Sequence, residues 1–159
     1  MSEIPRIIDE LRREHDGDPW HGSPLSQILD GITAPQAASK PIPRGHSIWE
    51  LVLHMTGWKL EVLKRVKGGP ASDPADGDWP AVGDPTPSRW TAARERLEES
   101  HRALIDAIES LPESTLYEPT NDPRDRALGS GVSYYVLLHG IVQHDVYHSG
   151  QIALLKKSL

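Results

Sequence analysis

His144 and His148 stand four residues apart in the stretch Ser133 to Lys157, which reads S-Y-Y-V-L-L-H-G-I-V-Q-H-D-V-Y-H-S-G-Q-I-A-L-L-K-K. At helical spacing the two imidazoles leave one face, about 40° apart around the axis. Two nitrogen donors placed in this way suit a single metal ion. Leu137, Ile141, Ile152 and Leu155 fall within about 80° of the pair, which sets the histidines on the buried edge of the helix. A buried imidazole pair needs partners, and a metal is the strongest available. Tetrahedral and octahedral sites take more than two ligands, so a further donor must come from elsewhere in the chain.

His54 is the natural candidate, because it lies in the middle of a long helical pattern with Leu51 and Trp58 about 60° and 40° away on its wheel. His15, His21 and His46 fall at helix ends or in turns, and His101 lies among charges, so these four are expected to be solvated. His139 is about 140° around the axis from His144 and cannot share an ion with it on a regular helix. Three neutral imidazoles leave at least one coordination position open, as catalytic sites do and closed structural sites do not. A metal without an anionic protein ligand stays strongly electrophilic and lowers the pKa of a thiol or water that reaches it. The opposing reading is a histidine pair buried and satisfied by hydrogen bonds alone.

Around these ligands the sequence offers supporting groups. Asp145 falls on the inward arc with Leu138, Ile141 and Ile152, where an unpaired carboxylate is costly. It could accept a proton from a ligand imidazole, His54 among them, or pair with a backbone, tryptophan or arginine donor. Gln151 follows His148 by three residues on the ligand face, and Glu61 shares the face of His54; the glutamate reads as solvated or ion-paired. Trp58 and Tyr147 could wall a pocket, although aromatic residues at this spacing also serve as plain core.

The elements that must carry these residues are helices. Ile4 to His15 has apolar residues at 4, 7, 8 and 11, one face of a helix. A short helix follows Ser23–Pro24 and closes at Gly31, and Thr33 to Pro43 is a connector with one possible turn at P-Q-A-A. The second long helix opens on the capping box of Ser47 and Glu50 and runs to Gly68–Gly69. Residues 68–87, rich in proline, glycine and aspartate, form a long loop. Thr86 and Pro87 start the third long helix, which Pro112 ends; residues 113–131 are irregular, and the fourth long helix holds His144 and His148. The expected architecture is all-α: one antiparallel four-helix bundle over residues 1–159, with a short extra helix between the first and second long helices, its long connections being either plain loops or crossovers.

Composition narrows the function. With 159 residues and 37% hydrophobic content the chain can enclose one real core. It has no cysteine, which rules out disulfides, thiolate zinc sites, iron–sulfur clusters and a cysteine nucleophile. A net charge of −6 and a pI near 5.7 oppose a phosphate-backbone binder, so nucleic acid is not an expected partner. No apolar run approaches the ~18 residues of a membrane span, and the N-terminus lacks the apolar core of a signal peptide. The expectation is a soluble, cytoplasmic protein.

The lone mid-helix histidine in S-I-W-E-L-V-L-H-M-T-G-W, followed far downstream by L-H-G-I-V-Q-H-D-V-Y-H-S-G-Q-I-A-L-L, resembles the DinB superfamily of DinB/YfiT-like metalloenzymes. The likeness extends over nearly the whole chain, including W-H-G-S-P-L and P-I-P-R-G-H-S-I-W-E. It implies a four-helix bundle with a mononuclear divalent metal, commonly zinc or nickel, on three histidines at the positions of His54, His144 and His148. It also implies a homodimer, a small-molecule substrate, and either a transferase or isomerase using a low-molecular-weight thiol or a related metal-dependent hydrolase. The alternative is a non-catalytic metal-binding module for stress response or ligand binding.

Overall fold

The computed structural model describes residues 2–120 and 132–159. Helix α1 spans Glu3–His15 and buries Ile4, Ile7, Ile8 and Leu11. Two short helices follow, α2 over Leu25–Leu29 and α3 over Ala34–Ala38, so the turn expected at P-Q-A-A is a second short helix. Pro24 is the N-cap of α2. Helix α4 spans Ile48–Val66, and its capping box forms as expected: Glu50 N donates to Ser47 Oγ at 3.1 Å and Ser47 N to Glu50 Oε2 at 2.8 Å. Gly68 ends it with φ +85°, a left-handed conformation that favours glycine. Helix α5 spans Pro87–Glu109 behind its Thr86 cap, and α6 spans Tyr134–Lys156 behind Ser133. Within the segment read as irregular, Glu113–Tyr117 forms a 3₁₀ turn, and 121–131 lies outside the described residues.

The four long helices form a bundle. Helix α4 packs on α5 and α6, and α1 packs on the same two, which leaves α1 diagonal to α4 and α5 diagonal to α6. Helices α5 and α6 are thus consecutive long helices at opposite corners of the bundle. The 67–86 connection joins neighbours, so its length serves something other than reach. It lies back along α4: a Cβ on Gly57 would meet Pro74 at 3.1 Å, and Ser72 N donates to Glu61 Oε1 at 2.7 Å.

The interior is not continuously apolar. One cluster gathers Leu25, Leu29, Trp49, Leu51, Met55, Trp90, Leu97 and Ile152 around the short helices. The other gathers Ile7, Leu11, Val62, Leu104, Ile108, Leu138 and Ile141. Between them lies a polar layer drawn from all four long helices: Glu14 and His15, Lys59, Ser100 and His101, and Asp145 and Ser149, each at most 3% exposed. Burying such groups is costly unless they are paired, and most of them have a partner, although His101 Nδ1 is buried without a hydrogen bond among the described residues. Lys59 donates to Asp145, Ser149 Oγ donates to Glu14, and His15 Nε2 meets Glu98 Oε2 at 2.6 Å. No described helix is long and apolar enough to cross a membrane.

Candidate metal centre

Helical spacing determines where His144 and His148 point, and the packing of α4 on α6 brings His54 to them. Ring centroids are 5.0 Å apart for His54 and His144, 4.7 Å for His54 and His148, and 4.4 Å for His144 and His148. One ligating nitrogen from each residue lies within 4.8 Å of the other two. His54 and His148 are buried, at 5% and 6% exposure, and His144 is half-buried. Among the described residues this is the cluster able to hold a metal ion.

The hydrogen bonds at the far side of two rings decide which nitrogen is free. His54 Nδ1 lies 2.7 Å from the Asp78 carbonyl oxygen, and His148 Nδ1 lies 2.8 Å from Gln151 Oε1. A carbonyl oxygen only accepts, so in the neutral rings the proton sits on Nδ1 and the Nε2 lone pair is free. His54 Nε2 comes within 3.0 Å of His144 Nε2. A shared proton would satisfy that pair and leave the His148 lone pair unused, whereas a divalent cation satisfies all three. The donor set therefore fits a divalent metal ion that accepts imidazole ligands.

Burial favours the uncharged form of His54 and His148. It is the largest influence on His148, whose pKa is pushed down to about 4 with help from the neighbouring imidazoles. Burial likewise lowers His54. A neutral imidazole is the form that a metal requires.

The supporting groups are partly those read from the sequence. Gln151 is the Nδ1 acceptor of His148. Trp58 stands edge-on to His54 and His144, 6.3 and 6.4 Å away, and its Nε1 donates to Asp78 Oδ1 at 2.8 Å. Tyr147 touches His148 edge-on at 5.1 Å but is 65% exposed on the outside of α6. Asp145 is fully buried, and its partner is neither His54 nor a backbone, tryptophan or arginine donor; it is Lys59. The nearest ligand nitrogen to it is His144 Nδ1, 3.7 Å from Asp145 Oδ1. Burial alone would raise the Asp145 carboxyl, but the Lys59 ammonium beside it holds it below the usual range. Glu61 is ion-paired and buried, with Oε2 2.5 Å from Arg65 Nε.

Two expectations about the remaining histidines are overturned. His15 and His101 are not solvated: they are 2% and 3% exposed and stack with centroids 3.9 Å apart. His101 shares the buried stripe of Leu97, Leu104 and Ile108, so its place in the helical repeat outweighs its charged neighbours. His21 and His46 are exposed as expected. His139 faces away from the cluster, with Glu3 and Glu10 carboxylates 3.3 and 3.5 Å from its ring nitrogens.

The sequence reading missed Asp78, Trp79 and Lys59. Trp79 stacks on His54 at 3.9 Å and 6° and is itself covered by His46 at 3.4 Å, so the long loop shields one face of a ligand. Its adjacent aspartate and tryptophan, set among turn formers, were the available signal. Lys59 could have been found as a charge within the apolar stripe of Val52, Met55, Val62 and Val66, complementary to Asp145 on the stripe of α6.

A cleft of about 460 Å³ opens against the cluster. Trp58, Val62, Val136, Leu137, Gly140 and Ile141 give it an apolar wall, and His54 and His144 reach into it. A small apolar or amphipathic molecule can therefore approach the ligand nitrogens from the side of His144, the most accessible of the three.

Comparison with known proteins places this geometry in a family. The crystal structure of the conserved protein of locus from Enterococcus faecalis superposes with a TM-score of 0.72 over 99% of this chain and 97% of that one, at 15% identity. At that identity the likeness shows the fold alone. Comparison with curated proteins returned no match. The sequence profile of the DinB superfamily matches residues 20–152, a span that holds all three clustered histidines and most of the bundle. The chain belongs to the DinB superfamily.

Proposed function

We propose that this protein is a divalent-metal-dependent enzyme acting on a small molecule, most simply a thiol-dependent transferase, with a related hydrolase as the variant in which water replaces the thiol. The observation that carries the reading is the convergence of His54, His144 and His148, with ligating atoms within 4.8 Å of one another, beside a largely apolar cleft that His54 and His144 line. Zinc or nickel bound there would act as a Lewis acid and favour the ionised form of a thiol or water. The protein's own groups do the rest. Asp78 and Gln151 hold the protons of two rings at Nδ1, so the lone pairs face inward without reorganisation. Trp79 and Trp58 exclude water from two sides of His54. The apolar wall from Val62 to Ile141 takes the carbon skeleton of the electrophile. The surroundings are proposed to be cytoplasmic, where low-molecular-weight thiols stay reduced.

The half-exposed His144 at the cleft favours catalysis over the non-catalytic metal-binding module, for which full enclosure of the ion is expected. Elemental analysis of untagged protein, followed by a panel of thiols with an electrophilic model substrate, tests the proposal. Turnover that a His144→Ala variant loses supports it. Stoichiometric metal with no turnover above that variant leaves the module.

A further inference from the structure

Glycine inside a helix weakens it relative to alanine, so Gly140 in the first half of α6 needs a reason. The protomer supplies none. Its φ is not positive, and a Cβ there would meet no atom within 4 Å, the imidazole of His144 included. The helix has room for a side chain at 140 and carries none.

Outside Gly140 lies the cleft beside the histidine cluster, and Gly140 is part of its wall. Side chains on a helix lean towards its N-terminus, so His144, four residues on, leans over the turn that starts at Gly140. A side chain at 140 would therefore stand in the approach to that imidazole. From α4 the cleft presents the indole of Trp58, whose ring centroid is 6.4 Å from that of His144. The gap between an indole and a bare stretch of helix is a slot, and a flat group stacks well in one.

The charges of the slot are already engaged. Apart from the histidines, its charged lining among the described residues is Arg65 and Asp78. Arg65 Nε meets Glu61 Oε2 at 2.5 Å, and Asp78 Oδ1 accepts from Trp58 Nε1 at 2.8 Å. A ligand thus meets apolar surface from Val62 to Ile141 and one polar anchor, a metal held by the cluster.

We infer that Gly140 determines specificity by leaving a slot beside His144 for an uncharged, flat apolar group, such as an aromatic or conjugated part of the electrophile. This rests on the metal-dependent reading of the cleft given above, and adds which ligand the cleft takes and which residue selects it.

Cobalt-loaded protein tests it, because the cobalt spectrum reports a ligand on the metal without turnover. The wild type is expected to bind phenylimidazole about ten- to a hundredfold more tightly than imidazole, since the donor is the same and the phenyl group is buried. A carboxylate on the far edge of the phenyl ring should remove most of that advantage. In Gly140→Leu the two neutral probes should bind alike, with metal and imidazole affinity as in the wild type. Gly150→Leu, on the same helix but away from the cleft, should behave as the wild type. Metal-free Gly140→Ala should melt roughly 2–4 °C higher than the wild type. No preference for phenylimidazole, a preference that survives Gly140→Leu, tighter binding of the carboxylate probe, or a Gly140→Ala protein that melts lower would each overturn the inference alone. No cobalt uptake, or a cobalt spectrum that imidazole leaves unchanged, would overturn the proposed function and this inference with it.

Discussion

Trp79 lies flat on His54, 3.9 Å between centroids and 6° from parallel. The indole belongs to a loop and the imidazole to the middle of α4, so the contact ties the long connection to the ring that completes the cluster. A stacked pair contributes about 0.5–1.5 kcal/mol beyond area. Trp79→Ala is therefore expected to weaken metal binding a few-fold in calorimetric titration, without changing the stoichiometry. Metal addition should alter tryptophan emission in the wild type, and much less in this variant.

Gln151 supports His148 in a different way, by accepting its Nδ1 proton at 2.8 Å. Losing such an acceptor typically costs roughly 10–100-fold in metal affinity. Gln151→Leu should show that loss in competition with a chromogenic chelator, whereas Gln143→Leu on the outer face of α6 should not.

The Lys59–Asp145 pair lies between two apolar clusters with both side chains fully buried. Removing one partner strands the other charge, and Lys59→Met is expected to destabilise by about 3–5 kcal/mol in denaturant unfolding. The double variant Lys59→Met, Asp145→Leu should recover most of that loss. Equal destabilisation by the single and double changes would show that the pair is not the source of the effect.

Stability should depend on pH from both sides. Burial is the main cause that pushes His101 down to about 2 and His148 down to about 4. Their contribution is complete above the ordinary histidine value of about 6.5 and is lost as pH falls towards those values. Burial, reinforced by Asp145, raises Glu14 to about 7. Its contribution is complete below the ordinary carboxylate range and is lost as pH rises through about 7. The metal-free protein should thus melt highest at mildly acidic pH, and Glu14→Gln should flatten the alkaline side of the profile.

Metal that binds only the folded chain stabilises it by mass action, about 2.7 kcal/mol at one hundred times the dissociation constant. For a domain of this size that corresponds to roughly 5–10 °C in Tm. Zinc or nickel should produce the shift in a thermal melt and a chelator should reverse it. His54→Ala should abolish the shift while retaining the metal-free melting behaviour to within a few degrees.

What the chain determines locally was legible in its sequence. Periodicity located the four long helices, Ser47 and Glu50 marked the start of α4, and the four-residue spacing of His144 and His148 placed two donors on one face. These features depend on backbone geometry within a few residues. His54 was legible too, as a polar residue in an apolar stripe. The rest was decided only when distant segments met. The 67–86 loop has no period from which to read that Asp78 and Trp79 land on His54. Lys59 and Asp145 are each costly alone and become intelligible as a pair across two helices. Charged neighbours in sequence suggested that His101 was solvated, whereas the packing of α1 on α5 buried it against His15. Burial and pairing are properties of the assembled bundle, since they depend on which surfaces the folded chain removes from water.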